Sequence, residues 1–551
     1  MNLSKKTFIL LTLITILATF LRLFNLGKIP PALYTDEANQ GYNAYSIMMT
    51  ARDEHGILLP VSLRSFGDWK PPLPTYLMIP FIYILGLTES SVRLPSAIFG
   101  IGSVILAFFL IRRLLDEQKY KTKIGLIASL YLAISPWHIL QSRSAMLVVI
   151  GLFFLLLGIF SFLSINKNKL FIFLSTISFT LSIYSYYGLR VVTPLILLFL
   201  LFHYRRELAL YRRQLILAVI LGFILVMPLL DAFIKQSDVI LGRARTVSVF
   251  YDQGINLKRW ELTAQDGVNS NTLITRFFHN NYYLYGRDII QRFLSHLDGR
   301  FLFLTGDTTP PFQIPRMGIL YIADLFFILI GIIVLFKQKL RSRWLIVFWI
   351  FVAILPAAFT FITPSSNRTF NSIVMYGLLA ALGMSFINQI AAKKIYVVTI
   401  IIAIYIAGFG YFMHQYFIKL PLTHADWWNY GWKEVVNYVK DVEPKYNNII
   451  VSDTFGMPYI YFLFYQKYPP DKYQKYAIRS YAADRYGFEH VEGFSKYIFQ
   501  NDFDWSFTKK NNLQRSSLYV VPANQANEHT DYTKAIYYPN GKIAFKIFAY
   551  E

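Results

Sequence analysis

Long apolar runs separated by short basic connections dominate the chain. Runs of bilayer-crossing length occur at residues 7–26, 92–111, 124–140, 145–164, 170–187, 190–204, 214–234, 317–336, 344–362, 370–390 and 395–417. A helix of about 20 apolar residues crosses the hydrocarbon core, so these eleven segments predict a polytopic α-helical membrane protein. A twelfth stretch, 71–87, is equally apolar but holds Pro71, Pro72, Pro74 and Pro80, and a mid-helix proline costs about 3 kcal/mol. From residue 421 the pattern turns polar and aromatic, with Trp427, Trp428, Tyr430 and Trp432 at its start. There 431–441 has helical spacing, while 448–452 and 517–521 read as strands, which predicts a small α/β domain.

Charge decides the topology. Basic residues in short loops mark the cytoplasmic side. If 71–87 does not cross, that side holds Lys5, Lys6, Arg112, Arg113, Lys119, Lys121, Lys123, Lys167, Lys169, Arg205, Arg206, Arg212 and Arg213. It also holds Lys337, Lys339, Arg341, Arg343, Lys393 and Lys394, nineteen in all, against Arg143, Arg190 and Arg368 in the opposite short loops. Counting 71–87 as a span would invert every later loop, so it is read as a helix along the outer surface. The expected plan is a membrane domain over 1–420, with outer loops at 27–91 and 235–316, and an extracytoplasmic soluble domain over 421–551. The N-terminus is then cytoplasmic and the first span is retained, because no small-residue cleavage site follows it.

Composition agrees with this plan. Of 551 residues 55% are hydrophobic and only 16% charged, below the share of a soluble domain. The net charge of +22 sits in the connections and orients the chain, so nucleic acid is not an expected partner. Cysteine is absent, which removes disulfides and thiol chemistry.

Candidate chemistry concentrates in the first outer loop. Asp36 and Glu37 open a stretch of helical spacing just beyond the first span, and an acidic side chain is favoured at a helix N-terminus. Asp68-Trp69-Lys70-Pro71-Pro72 follows, with Lys70 held extended by the proline after it. Moving a sugar from a lipid phosphate requires a base for the acceptor hydroxyl and cations for the departing phosphate. Asp36 and Glu37 supply carboxylates and Lys70 an ammonium. Arg143, Arg190 and Arg368, alone in otherwise uncharged outer turns, suit a phosphate through their planar forks. His138 reads as an interfacial hydrogen-bonding group, since the nine histidines show no metal spacing.

At these residues the chain resembles the GT-C membrane glycosyltransferases, in particular the protein O-mannosyltransferase and aminoarabinose transferase group (glycosyltransferase family 39 and its bacterial relatives). The resemblance rests on Tyr34-Thr35-Asp36-Glu37, Lys70-Pro71-Pro72-Leu73, Val92-Arg93-Leu94-Pro95-Ser96, Gln141-Ser142-Arg143 and Asn367-Arg368, and covers residues 1–390. It implies a GT-C fold and an inverting transferase in the cell membrane that takes a monosaccharide from a polyprenyl phosphate to a protein, lipid or glycan hydroxyl. Asp36 matches the proposed base and Lys70 the lipid-phosphate contact, while Tyr34, Asp68, Trp69 and His138 complete the expected substrate contacts. No cofactor is indicated, although carboxylates leave a divalent metal open. Where the mannosyltransferases carry an aspartate after Gln-Ser-Arg, this chain has Val148. Two other readings are a transporter or flippase of lipid-linked sugars and a polysaccharide polymerase or ligase. Transporters place ionisable groups within spans and show repeats, whereas here Asp324 and Asp231 are the acidic residues in or at the end of spans.

Overall fold

The computed structural model describes residues 3–550 except 252–253, 268–270, 339, 392–393, 455, 483, 485–486, 501–502, 512–513 and 528. Lys339 and Lys393 therefore lie outside the described residues. Each of the eleven apolar segments is helical over most of its length. Among the described residues, five helices, Lys5–Leu23, Glu89–Leu114, Arg205–Lys235, Ser366–Ile390 and Ile395–Thr423, are long and apolar enough to cross a bilayer. The 124–140 segment is broken: Lys121–Ile134 ends where Ser135 turns extended ahead of Pro136, and Pro136–Arg143 begins a new helix.

Helix α1 (Lys5–Leu23) is followed by α2 (Thr35–Thr50), strands β1 (Leu63–Ser65) and β2 (Asp68–Lys70), and helices α3 (Leu73–Leu85) and α4 (Glu89–Leu114). With 13 residues and Pro80 inside it, α3 is about 20 Å long, short of a hydrocarbon core of about 30 Å.

The chain forms two compact units. The first comprises Met1–Ala18, Gly102–His138 and Gly151–Phe409. Its helices Ile322–Lys337 and Ile373–Ile390 approach backbone to backbone: a Cβ on Gly331 would lie 1.9 Å from the Leu379 carbonyl oxygen, and one on Gly383 2.1 Å from that of Phe327. Small residues permit such contact between apolar helices. Asp324 is buried here, accepting from the Tyr131 hydroxyl at 3.0 Å, the Tyr321 amide at 2.9 Å and the Tyr405 hydroxyl. The expected loop 235–316 carries short helices, among them Thr272–Phe278 and Asn281–Ser295, capped by the side chains of Asn271 and Asn280.

The second unit comprises Thr19–Ile101, Ile139–Ile150 and Gly410–Glu551. Its sheet contains β3 (Asn448–Ser452), β4 (Ile478–Ser480), β5 (His490–Phe494), β6 (Tyr497–Gln500), β7 (Ser517–Pro522), β8 (Lys534–Tyr537) and β9 (Ile543–Tyr550), in the order β4-β5-β6-β3-β7-β9-β8. Strand β3 is parallel to both β6 and β7, and the outer pairs are antiparallel. The helix Trp432–Val442 lies where helical spacing predicts one, but the pattern predicts two strands, whereas seven form among the described residues. Residues 421–551 do not keep a core to themselves: Leu33, Tyr42, Met78 and Val92 join Trp432, Val436, Tyr461, Phe464 and Leu518 in one buried cluster.

Candidate functional site

In the second unit, Asp36 is the second residue of α2 and Lys70 the last of β2. The hairpin brings them together, with Leu63 opposite Lys70 and Ser65 opposite Asp68. Its two-residue turn has Phe66 at φ 53° and Gly67 at φ 83°, the mirror-image turn that matches strand twist. Glycine adopts that conformation freely and phenylalanine does not. The Phe66 ring accounts for the choice: it meets Tyr459 edge-on at 5.9 Å and lies 5.2 Å from Lys70 Nζ. The hairpin is tied to the sheet by Arg64, whose fork grips Glu489, and by the Glu489 amide donating to the Phe66 carbonyl.

Lys70 Nζ donates directly to Asp36 Oδ1. The two differ in exposure: the Asp36 side chain is 50% exposed and that of Lys70 only 8%. The pair is thus a buried cation reaching out to an open carboxylate. Asp68 turns back to accept from the Trp69 amide at 2.8 Å, and Trp69 is buried.

Glu37 is placed differently from its neighbour. It is 1% exposed and meets Arg93 side-on, with Nε to Oε1 and Nη2 to Oε2 both at 3.0 Å. Its oxygens also accept from the amides of Tyr34 at 3.0 Å and Ala145 at 2.9 Å. Each of its two oxygens accepts two hydrogen bonds, so this carboxylate fastens the first turn of α2 and is closed off from solvent. The remaining Arg93 donors hold the carbonyls of Leu26, Pro30 and Ala32.

Arg143 is fully buried, and its guanidinium donates to the carbonyls of Leu21 at 2.8 Å, Phe24 at 2.7 Å and Ile29 at 2.8 Å while lying 4.9 Å from the Phe417 ring centre. The structure gives this cation backbone partners in the last turn of α1 and just beyond it. Arg190, Arg368 and His138 belong to the first unit. There Arg190 lies 5.5 Å from the Tyr187 ring centre, Arg368 donates to the Ile362 carbonyl at 2.7 Å, and His138 is buried 5.5 Å from the Phe370 ring.

Two supports of α2 carried little sequence signal. Thr35 joins Asn429 and Tyr461 in a buried network, with Asn429 Nδ2 2.9 Å from the Thr35 hydroxyl and 2.8 Å from that of Tyr461. Farther along, Glu54 receives Asn39 at 2.7 Å and Asn43 at 3.1 Å. Burial pushes the Glu54 carboxyl above the usual range, and pushes that of Asp53 up to about 6. The same burial lowers neighbouring His55 to about 3, so it is neutral.

Comparison with known proteins bears on this arrangement. A family model described as dolichyl-phosphate-mannose-protein mannosyltransferase matches residues 69–230, which takes in Lys70 but begins beyond Asp36. No curated protein sequence matches the chain. Among solved structures, apo ArnT from Cupriavidus metallidurans is similar with a TM-score of 0.53 at 10% identity, covering 98% of this chain and 97% of that one. AglB from Archaeoglobus fulgidus, an archaeal oligosaccharyltransferase in complex with an inhibitory peptide and a dolichol-phosphate, gives 0.50 at 12% identity over 84% of this chain. That alignment spans 63% of AglB. The same archaeal enzyme tethered to an acceptor peptide gives 0.51 at 12% identity, over 98% of this chain and 74% of that one.

Proposed function

This chain has the GT-C fold of the membrane glycosyltransferases, and on that premise we propose that it moves a monosaccharide from a polyprenyl phosphate to a hydroxyl acceptor at the outer face of the cell membrane, with inversion at the sugar carbon. The direct contact between an open carboxylate, Asp36, and a buried ammonium, Lys70, carries the reading.

Asp36 Oδ takes the proton of the acceptor hydroxyl as its oxygen attacks the anomeric carbon. The bond from that carbon to the phosphate oxygen breaks, and its electron pair leaves with the polyprenyl phosphate. Charge grows on the phosphate during this step, and the Lys70 ammonium, shielded from water, stabilises it. Because phosphate leaves readily, no strong general acid is required. Glu37 and Arg93 hold the first turn of α2, so that Asp36 alone acts as base. ArnT and AglB, of similar fold, act here as support by analogy, AglB having been solved with a dolichol-phosphate.

The eleven apolar helical segments are read as spans. Their loop charges put the loop bearing Asp36 and Lys70, together with the sheet, on the outer side. Reconstitution with polyprenyl-phosphate sugars tests the reaction. Lys70→Ala is expected to lower turnover by about two to three orders of magnitude, in line with loss of one charge-stabilising donor. Unchanged turnover in that variant would remove Lys70 from the mechanism.

A further inference from the structure

The second unit holds a concavity at the carboxyl end of β7. A groove of about 310 Å³ opens between Pro522-Ala523, the start of β9 and the turn joining β8 to β9. The volume falls at the small end of ligand sites, which begin at about 300 Å³.

Thr423, Asp426, Asn524, Tyr538, Asn540 and Lys542 supply its polar lining. Among the described residues, the Asp426 carboxylate, the Asn524 amide, the Tyr538 hydroxyl and the Lys542 ammonium have no protein hydrogen-bond partner. Asn540 uses its oxygen for the Lys542 amide at 3.0 Å and keeps its NH₂ for a ligand. The Tyr538 ring is half-buried; burial and the facing Asp426 charge push its hydroxyl up to about 12, which leaves it a neutral donor. The Thr423 hydroxyl is taken up by the Lys419 carbonyl at 2.7 Å and His424 Nδ1 at 2.6 Å, so the lining offers one strong acceptor, one cation, two amides, the Tyr538 hydroxyl and an aromatic face.

That mixture discriminates between ligands. A phosphate would meet the Asp426 carboxylate, and an amine would meet Lys542. A ligand dense in neutral hydroxyls uses both, giving hydrogen to the carboxylate and accepting from the ammonium and amides, with each such charge-assisted bond stronger than a neutral one. Its apolar C–H face has Tyr538 to lie on. We propose that this groove binds a neutral glycan of one or two pyranose rings, held through vicinal hydroxyls by Asp426, Asn524, Asn540 and Lys542.

The inference deepens the proposed function by giving the acceptor a chemical class, and it rests on that reading only for the use made of the bound glycan. The test is saturation-transfer NMR on the full chain in nanodiscs, with methyl pyranosides of glucose, galactose and mannose and with maltotriose as probes. At least one probe is expected to receive saturation, with affinity about tenfold lower in Asp426→Ala and in Tyr538→Ala, one lost bond of about 1.4 kcal/mol. Lys542→Ala, exposed on a turn, gives the same readout without threatening the fold. No transfer to any probe, or transfer unchanged in all three variants, would overturn the proposal. A chain that binds a probe but transfers no sugar from polyprenyl phosphates would leave the groove standing and overturn the reaction.

Discussion

Removing the Arg93 side chain should loosen the first turn of α2 and with it the base. Arg93 is fully buried, and Glu37 is 1% exposed, so replacing Arg93 by methionine leaves a carboxylate in a dry site with two backbone amides as its remaining partners. It also strips donors from three carbonyls of the turn after α1. Breaking a buried pair from one side costs about 3–5 kcal/mol, a large part of a typical folding free energy of about 5–15 kcal/mol. Removing both charges together, as Glu37→Met with Arg93→Met, should be far milder than the sum of the two singles, with a coupling of up to about 3 kcal/mol. Denaturant unfolding of the detergent-solubilised protein, followed by tryptophan emission, reads all three. Transfer by Arg93→Met should fall through turnover, since the acceptor's base is displaced. Stability of Arg93→Met within about 0.5 kcal/mol of the unaltered chain, or fully additive effects in the double variant, would refute the anchoring role.

Tyr461→Phe removes a hydroxyl that Asn429 meets at 2.8 Å and Thr35 at 3.2 Å, and should lower unfolding stability by about 1–3 kcal/mol. Gly331→Ala sets a methyl 1.9 Å from a backbone oxygen, so monodisperse protein should be lost on size exclusion, whereas Gly410→Ala, with open space around it, should behave as the parent does. Asp53 has its folded value raised to about 6 from 3.8, so the folded state holds a proton that the unfolded chain releases, and this group's contribution falls as pH rises from about 4 to about 6. Asp53→Asn should remove that loss, worth about 3 kcal/mol at neutral pH. His55 acts with opposite sign, its folded value lying below the unfolded one. Stability of Asp53→Asn should therefore climb more steeply between pH 4 and 6 than that of the parent, as pH-resolved denaturant titrations would show.

The helices were legible because burying a backbone in lipid leaves a long apolar run as its trace, and the prolines of 71–87 marked α3 as a short element. Asp36 and Lys70 stood out in the sequence as charged residues close beyond the first apolar run. Their contact did not, because it depends on a three-residue pairing closed by Phe66 and Gly67, and a phenylalanine at positive φ leaves no turn signature. Asp36 and Glu37 are adjacent in sequence, yet a helix points them about 100° apart, one to the open side and one onto Arg93. Only tertiary packing says which is which. Arg143 illustrates the converse, since a guanidinium suits carbonyls ending a helix as well as it suits a phosphate, and spacing does not separate the two. Strands β4, β6 and β8 escaped because they are three or four residues long, and β9 because residues 544–548 are buried without a break and show no alternation.

As the base beside Lys70, Asp36 is the residue on which the proposed transfer depends most. Asp36→Asn keeps the size and the hydrogen-bonding oxygen but removes the proton acceptor, so transfer from a polyprenyl-phosphate sugar by the reconstituted protein should drop by about two to four orders of magnitude while lipid-phosphate binding persists. Transfer by Asp36→Asn at the rate of the unaltered chain would contradict that role.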